Sequence, residues 1–162
     1  VKRLMAMPEM PDRRTIMSVR SKDDRLIYLI FTAQHRLRMH IRDQLTAAGV
    51  KITLEQAGIL FLLKAENGQA MSQLSRLLLL DNSTVTGLID RLEKSGFVLR
   101  KADPKDRRIF LIHITGQGIK EVDKAKPVIN KVNEEIRTDF SMEEMESFKK
   151  ILNSFVVKFK KA

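Results

Sequence analysis

Asp106-Arg107-Arg108 lies between two short apolar segments, just after the turn signal Asp103-Pro104, and Lys105 adds a further cation. Guanidinium and ammonium groups at an exposed tip donate hydrogen bonds to anions, above all to phosphate oxygens. An Arg at a hairpin tip also suits the minor groove of a duplex, where the potential is most negative if the groove is narrow. A second constellation precedes it. Ser83, Thr84, Thr86, Gly87, Asp90 and Arg91 fall opposite Val85, Leu88, Ile89 and Leu92 at helical spacing. Hydroxyls in a first turn, then a basic residue, suit a helix that enters a major groove by its N-terminal end. Ser72 and Gln73, at the start of the preceding short helix, complete the candidate DNA-contacting set.

Other chemistries find less support. His35 and His40 are five apart, about 140° around a helix, and so do not form a zinc pair. His113 stands alone on a strand. Gly116-Gln117-Gly118 at a helix start could hold an anion, but a turn is the commoner use of such a pair. No Ser/His/Asp arrangement has recognisable spacing, and the absence of Cys removes thiolate zinc sites, Cys nucleophiles and thiol redox sensing. We expect no catalytic residue, no metal and no cofactor.

These residues need a frame. The periodicity predicts a first helix over about 24–48, apolar over an arc wide enough to need covering on two sides. Thr53 and Gln56 have capping-box spacing and open a second helix that ends near Ala65. Short helices follow over about 72–79, with Leu74, Leu77 and Leu78 as core, and 83–95, capped by Asp81 or Asn82 and ended by Gly96. Segments 97–101 and 109–114 read as strands of a hairpin. Thr115 starts a helix to about 138, with Pro127 inside, and a second capping box, Ser141 with Glu144, starts the last one over about 142–160. That final helix carries Phe148, Ile151, Leu152, Phe155 and Phe159 on one stripe. A homodimer is the economical cover for it, and a membrane-surface helix the rival reading.

The fold class is therefore mostly α with a small β-wing: a winged helix-turn-helix with N- and C-terminal dimerisation helices. Residues 1–22 read as a mobile basic arm, 23–50 and 118–162 as a helical dimerisation region, and 51–117 as the DNA-binding domain. The chain has 162 residues, a formal net charge of +10 and a pI of about 10.0, which attracts polyanions. With no membrane-length apolar run, no signal-peptide pattern in the first residues and no Cys, we expect a cytoplasmic protein without a membrane partner.

The pattern resembles the MarR (multiple antibiotic resistance regulator) family of winged-helix transcription factors. The family's wing signature is Asp, any residue, Arg, five residues, then Leu-Thr, two residues and Gly. Asp106-Arg107-Arg108, then Ile109 to His113, then Ile114-Thr115-Gly116-Gln117-Gly118 match it, with Ile for Leu. Ser83 to Gly96 is similar to the family's recognition helix, and Leu54-Glu55-Gln56 to the start of its second helix. The resemblance implies a homodimer on a pseudo-palindromic double-stranded operator, acting as a repressor. Arg108 would enter the minor groove, oriented by Asp106, while Arg107 and Lys105 meet phosphates. Many members carry Arg where this chain has Gly87, which moves base readout toward Ser83, Thr84, Thr86 and the wing. The resemblance also implies a small aromatic acid as effector, with Tyr28, His35, Arg38 and Met39 as candidate lining; plain interface packing would use the same residues. A non-specific architectural DNA-coating protein, and a dimer whose charge is incidental, are the alternative functions.

Overall fold

A computed structural model describes residues 25–159. The expected N-terminal arm, 1–22, lies outside the described residues. The elements are α1 (Leu26–Ala47), α2 (Leu54–Ala65), β1 (Gln69–Ala70), α3 (Met71–Leu78), α4 (Asn82–Lys94), β2 (Val98–Ala102), β3 (Phe110–Ile114), α5 (Gly116–Arg137) and α6 (Met142–Lys158). Every predicted helix is present, with ends shifted by one or two residues. The chain divides into two compact units, Val1–Arg36 and Leu37–Ala162. In the described part of the first, α1 begins with Leu26, Ile27, Tyr28, Leu29, Ile30 and Phe31 all exposed.

Within the second unit, α1 buries Ile41 and Leu45 and stops at Gly49, whose φ of +68° suits glycine. There the Val50 amide reaches back to the Leu45 carbonyl at 2.9 Å, closing the helix end. The α2 capping box forms as predicted: Gln56 N donates to Thr53 Oγ1 and Thr53 N to Gln56 Oε1. Ala57, Ile59, Leu60 and Leu63 of α2 are fully buried and meet Leu74 of α3, Val85, Ile89 and Leu92 of α4, Ile112 of β3 and Val122 and Ala125 of α5. The expected 51–117 unit is thus not closed on itself: α5 supplies part of its core. The buried Glu121 of α5 also accepts from the Lys51 amide at 2.5 Å and so holds the α1–α2 loop.

Two expectations are corrected. The wing sheet has three strands in the order β1-β3-β2, all antiparallel, because Gln69 and Ala70 pair with Ile112 and Leu111. A two-residue strand is too short to show alternation. In α3 the core face is Leu74, Ser75 and half-buried Leu78, while Leu77 is 59% exposed. Leu77 lies roughly 110° from the centre of that face. Ser75 can be buried because its hydroxyl donates to the Met71 carbonyl at 3.0 Å.

In Gly116-Gln117-Gly118 packing requires only the second glycine, since a Cβ on Gly116 would meet nothing within 4 Å. A Cβ on Gly118 would lie 2.2 Å from the Phe97 carbonyl oxygen. Thr115 takes the helix-start donor at Gly118 N and gives its own proton to the Gly96 carbonyl at 2.7 Å, joining α5 to the end of α4. The histidines are likewise structural where they have partners. His113 packs under Gly68, and His40 shares a 2.9 Å hydrogen bond with Glu135. The α6 capping box is present, yet no residue of that helix is buried.

Candidate nucleic-acid interface

The path from α3 into α4 turns at Leu79, the one non-glycine among the described residues with positive φ, at +54°. The turn closes through Leu80 N to the Ser75 carbonyl at 3.0 Å. Asp81 is then the N-cap of α4. One of its oxygens, Oδ1, accepts from Thr84 N at 2.7 Å and from the Ser83 hydroxyl; the other, Oδ2, accepts from the Thr84 hydroxyl at 2.7 Å. These bonds, the Ser83 hydroxyl first and then Thr84, hold the Asp81 carboxyl far below the usual carboxylate range. Thr86 donates to the Asn82 carbonyl at 2.7 Å. Behind this face Val85, Leu88, Ile89 and Leu92 fix α4 against the core. The expected reading residues Ser83, Thr84, Thr86, Gly87 and Arg91 therefore do share one outward side of α4. At Gly87 a Cβ would meet nothing within 4 Å.

The hairpin β2–β3 runs in register from Val98↔Ile114 to Ala102↔Phe110. Asp103 N donates to the Ile109 carbonyl at 2.8 Å, Asp103 Oδ1 accepts from Lys105 N at 2.8 Å, and Ile109 N donates to the Asp106 carbonyl at 2.9 Å. Beyond that closure stand Lys105, Asp106, Arg107 and Arg108. The Asp106 carboxylate takes Arg108 N at 3.0 Å, Nε at 3.1 Å and Nη2 at 3.3 Å. Those bonds keep the Asp106 carboxyl below its ordinary range. The Arg108 side chain is nonetheless 91% exposed, so its head group is aimed but open. Lys105, Arg107 and, on α4, Arg91 have no acidic partner among the described residues.

Arg100 of β2 was not singled out from the sequence. Its guanidinium pairs with Asp90 at 2.5 Å and with Glu93, both on α4, and Arg100 N donates to Glu93 Oε1 at 3.2 Å. The Asp90 hydrogen bond is the main reason its pKa is raised. This clamp ties the wing's first strand to the second half of the candidate recognition helix. The acids three apart on α4 were a visible signal; their partner, seven to ten residues on, was not.

Ser72 and Gln73 stand exposed at the start of α3, where Gln73 Oε1 already accepts from Ala70 N at 2.9 Å. Of the expected effector residues, Tyr28 and His35 fall in the first compact unit and Arg38 and Met39 in the second. Arg38 already pairs with Glu55 at 2.8 Å. On the expected dimer stripe Phe148, Ile151, Leu152 and Phe159 are exposed and Phe155 half-buried. Phe155 and Phe159 meet edge to face and wall a cleft of about 870 Å³ against Arg76, Leu79 and Leu80. Among the described residues no group of acids and histidines could hold a metal, and no helix is long and apolar enough to cross a membrane.

A sequence model of the MarR family matches residues 52–110. The chain is 30% identical over 127 residues to the transcriptional activatory protein BadR of Rhodopseudomonas palustris, covering 75% of this chain and 71% of that protein. The chain belongs to the MarR family. Among its MarR-type relatives, the uncharacterised HTH-type transcriptional regulator YkoM of Bacillus subtilis is 40% identical over 70 residues, 43% of this chain and 46% of YkoM. The chain thus spans about half the length of that curated relative. The solved complex of S. aureus MepR with DNA superposes with a TM-score of 0.76 at 25% identity, over 82% of this chain and 96% of that one. The winged-helix architecture is that of this MarR regulator.

Proposed function

We propose that the protein is a sequence-specific, double-stranded DNA-binding transcriptional regulator that works as a homodimer on a pseudo-palindromic operator. The observation that carries this is the wing tip: a guanidinium 91% exposed yet held on two bonds by the Asp106 carboxylate, which also takes the Arg108 amide, beside an exposed polar face of a capped helix. MepR, a structural relative, has been solved with DNA. In this reading Ser83, Thr84, Thr86 and Gly87 meet the major groove, Arg108 the minor groove, and Ser72, Gln73, Arg91, Lys105 and Arg107 the backbone. The exposed apolar surfaces of α1 and α6 are the dimer layer. The protein is not an enzyme, acts in the cytoplasm where its DNA is, and represses by occupying promoter DNA. A small aromatic acid releases it; at Arg38 such a ligand would exchange for the Glu55 carboxylate.

The test titrates the protein against its own upstream region and against random duplex at two salt concentrations. The reading predicts a preference of about 10³-fold or more. Equal affinity with a steep salt slope would instead establish a non-specific coating protein. In vitro transcription from the bound promoter decides direction: a fall supports repression, and a rise, the behaviour named for BadR, overturns it. A thermal-shift screen of aromatic acids tests the effector, and no shift with any of them removes it. Phe148→Asp is expected to shift the sedimenting species from dimer to monomer. An unchanged dimer removes α6 from the interface.

A further inference from the structure

The hydroxyls of α4 have a fixed polarity. An ionised carboxylate and a peptide carbonyl can only accept, so Ser83 and Thr84 must donate to Asp81, and Thr86 to the Asn82 carbonyl. A hydroxyl has one proton and two lone pairs. With the proton committed inward, each of the three offers only lone pairs to a ligand. Gly87, in the middle of the same face, offers no side chain at all. The hydroxyls of the first turn and a half of α4 therefore present only acceptors, beside two threonine methyl groups, while Asn82, the donor-bearing amide of that turn, lines the cleft with Phe155 and Phe159.

Such a surface does not suit a phosphate, which has acceptors and negative charge. It is equally mismatched to guanine N7 and O6, adenine N7 and thymine O4, which accept as well. In the major groove the donors are the 6-amino group of adenine and the 4-amino group of cytosine. Methyl groups on Thr84 and Thr86 add an apolar surface of the kind that meets the thymine methyl.

We infer that α4 selects its half-site through the exocyclic amino groups of adenine and cytosine, and that Asp81 sets this specificity by holding the neighbouring hydroxyls as acceptors. Asp81 is here a positioning residue. The inference rests on the proposed DNA-binding function and goes beyond it, because it names which base atoms are read. It also separates the two readers: phosphate and minor-groove contacts fall to Arg91 and the wing.

The experiment uses the full chain. A high-affinity site is first selected from a random duplex library, and the major-groove positions protected by α4 are mapped. At those positions adenine is replaced by purine, which lacks the 6-amino group, or by 7-deazaadenine, which lacks only the N7 acceptor. Cytosine is replaced by 2-pyrimidinone and guanine by 7-deazaguanine. Loss of an amino group is expected to weaken binding about tenfold per contacted position, with the deaza bases close to neutral. The Asp81→Asn variant keeps an oxygen for the Thr84 amide but cannot accept from both hydroxyls. It is expected to relax base preference at the same positions, with its melting temperature measured alongside. The wild-type arm alone decides the question if that variant folds poorly. Loss of affinity with the deaza bases and none with the amino-deleted ones overturns the inference while leaving DNA binding intact. A library that enriches no sequence overturns the proposed function and the inference together.

Discussion

Asp81 and Asp106 do opposite things with the same group. Each carboxylate, exposed at Asp81 and half-buried at Asp106, accepts from a backbone amide and from side chains two or three residues later. At the start of α4 the side chains are hydroxyls, each with a single proton, and the carboxylate consumes it. At the wing tip the side chain is a guanidinium with five N–H groups, and the carboxylate uses two of them. The first arrangement makes acceptors, and the second makes an aimed donor. One face of the molecule is thereby suited to base amino groups and the other to phosphates and the floor of a minor groove. Arg100 holds the two at a fixed distance by bridging β2 to Asp90 and Glu93.

The contrast can be broken at several points. The largest effect is expected from Arg108→Ala. It removes the exposed cation from both wings of the proposed dimer and should cost about 2 kcal/mol in affinity, roughly 30-fold, with the melting temperature unchanged because the side chain is 91% exposed. A fluorescence-anisotropy titration measures it. Arg100→Leu leaves both readers intact but unpaired, and strands Glu93 and Asp90 beside an apolar group. Binding should weaken about tenfold with unchanged base preference, and Arg100→Lys should restore only part, since a point charge cannot bridge two carboxylates in the same way.

Asp106→Asn is expected to act more mildly, a few-fold, because the cation remains but is no longer aimed. Its pH dependence has a definite sign. The Asp106 carboxyl is held below its ordinary value by Arg108, so its contribution is present above that value and lost as pH falls through the lowered one. The affinity ratio of wild type to variant should stay flat from neutral pH down to about pH 5, and close only below the usual aspartate value of about 3.9. The smallest effect is expected at Leu79→Gly. The left-handed φ of +54° costs a branched residue about 1 kcal/mol, and a side chain 71% exposed has little packing to lose. A rise of a few degrees in melting temperature is expected by calorimetry.

Much of this was legible in the chain because its chemistry is local. The capping boxes at Thr53 and Ser141 depend on residues three apart, and both form. The core face of α4 follows one helical period, and all four of its expected residues are buried. Asp103-Pro104 marks the hairpin loop without help from the rest of the fold. The misses are tertiary or too short. The run Leu77 to Leu80 is apolar on every side, so periodicity supplies no phase, and Leu77 faces solvent instead of the core. β1 is two residues long and exists only because β3 is beside it. Arg100 looks like any strand arginine until α4 is laid against β2. The role of Asp81 depends on which way neighbouring hydroxyls donate, which spacing alone does not encode. The wide apolar arc of α1 was visible, but within the chain only Ile41 and Leu45 of that helix are buried.

The most direct test of a donor in the minor groove opposite acceptors in the major groove changes one groove at a time. Replacing the adenines of the wing-protected tract with 2,6-diaminopurine adds an amino group to the minor groove and leaves the major-groove edge intact. Wild-type affinity should fall about tenfold on that duplex, while Arg108→Ala, already weak, should bind the modified and unmodified duplexes alike. An equal fall for both proteins would contradict the account, since the wing arginine would then not be what occupies that groove.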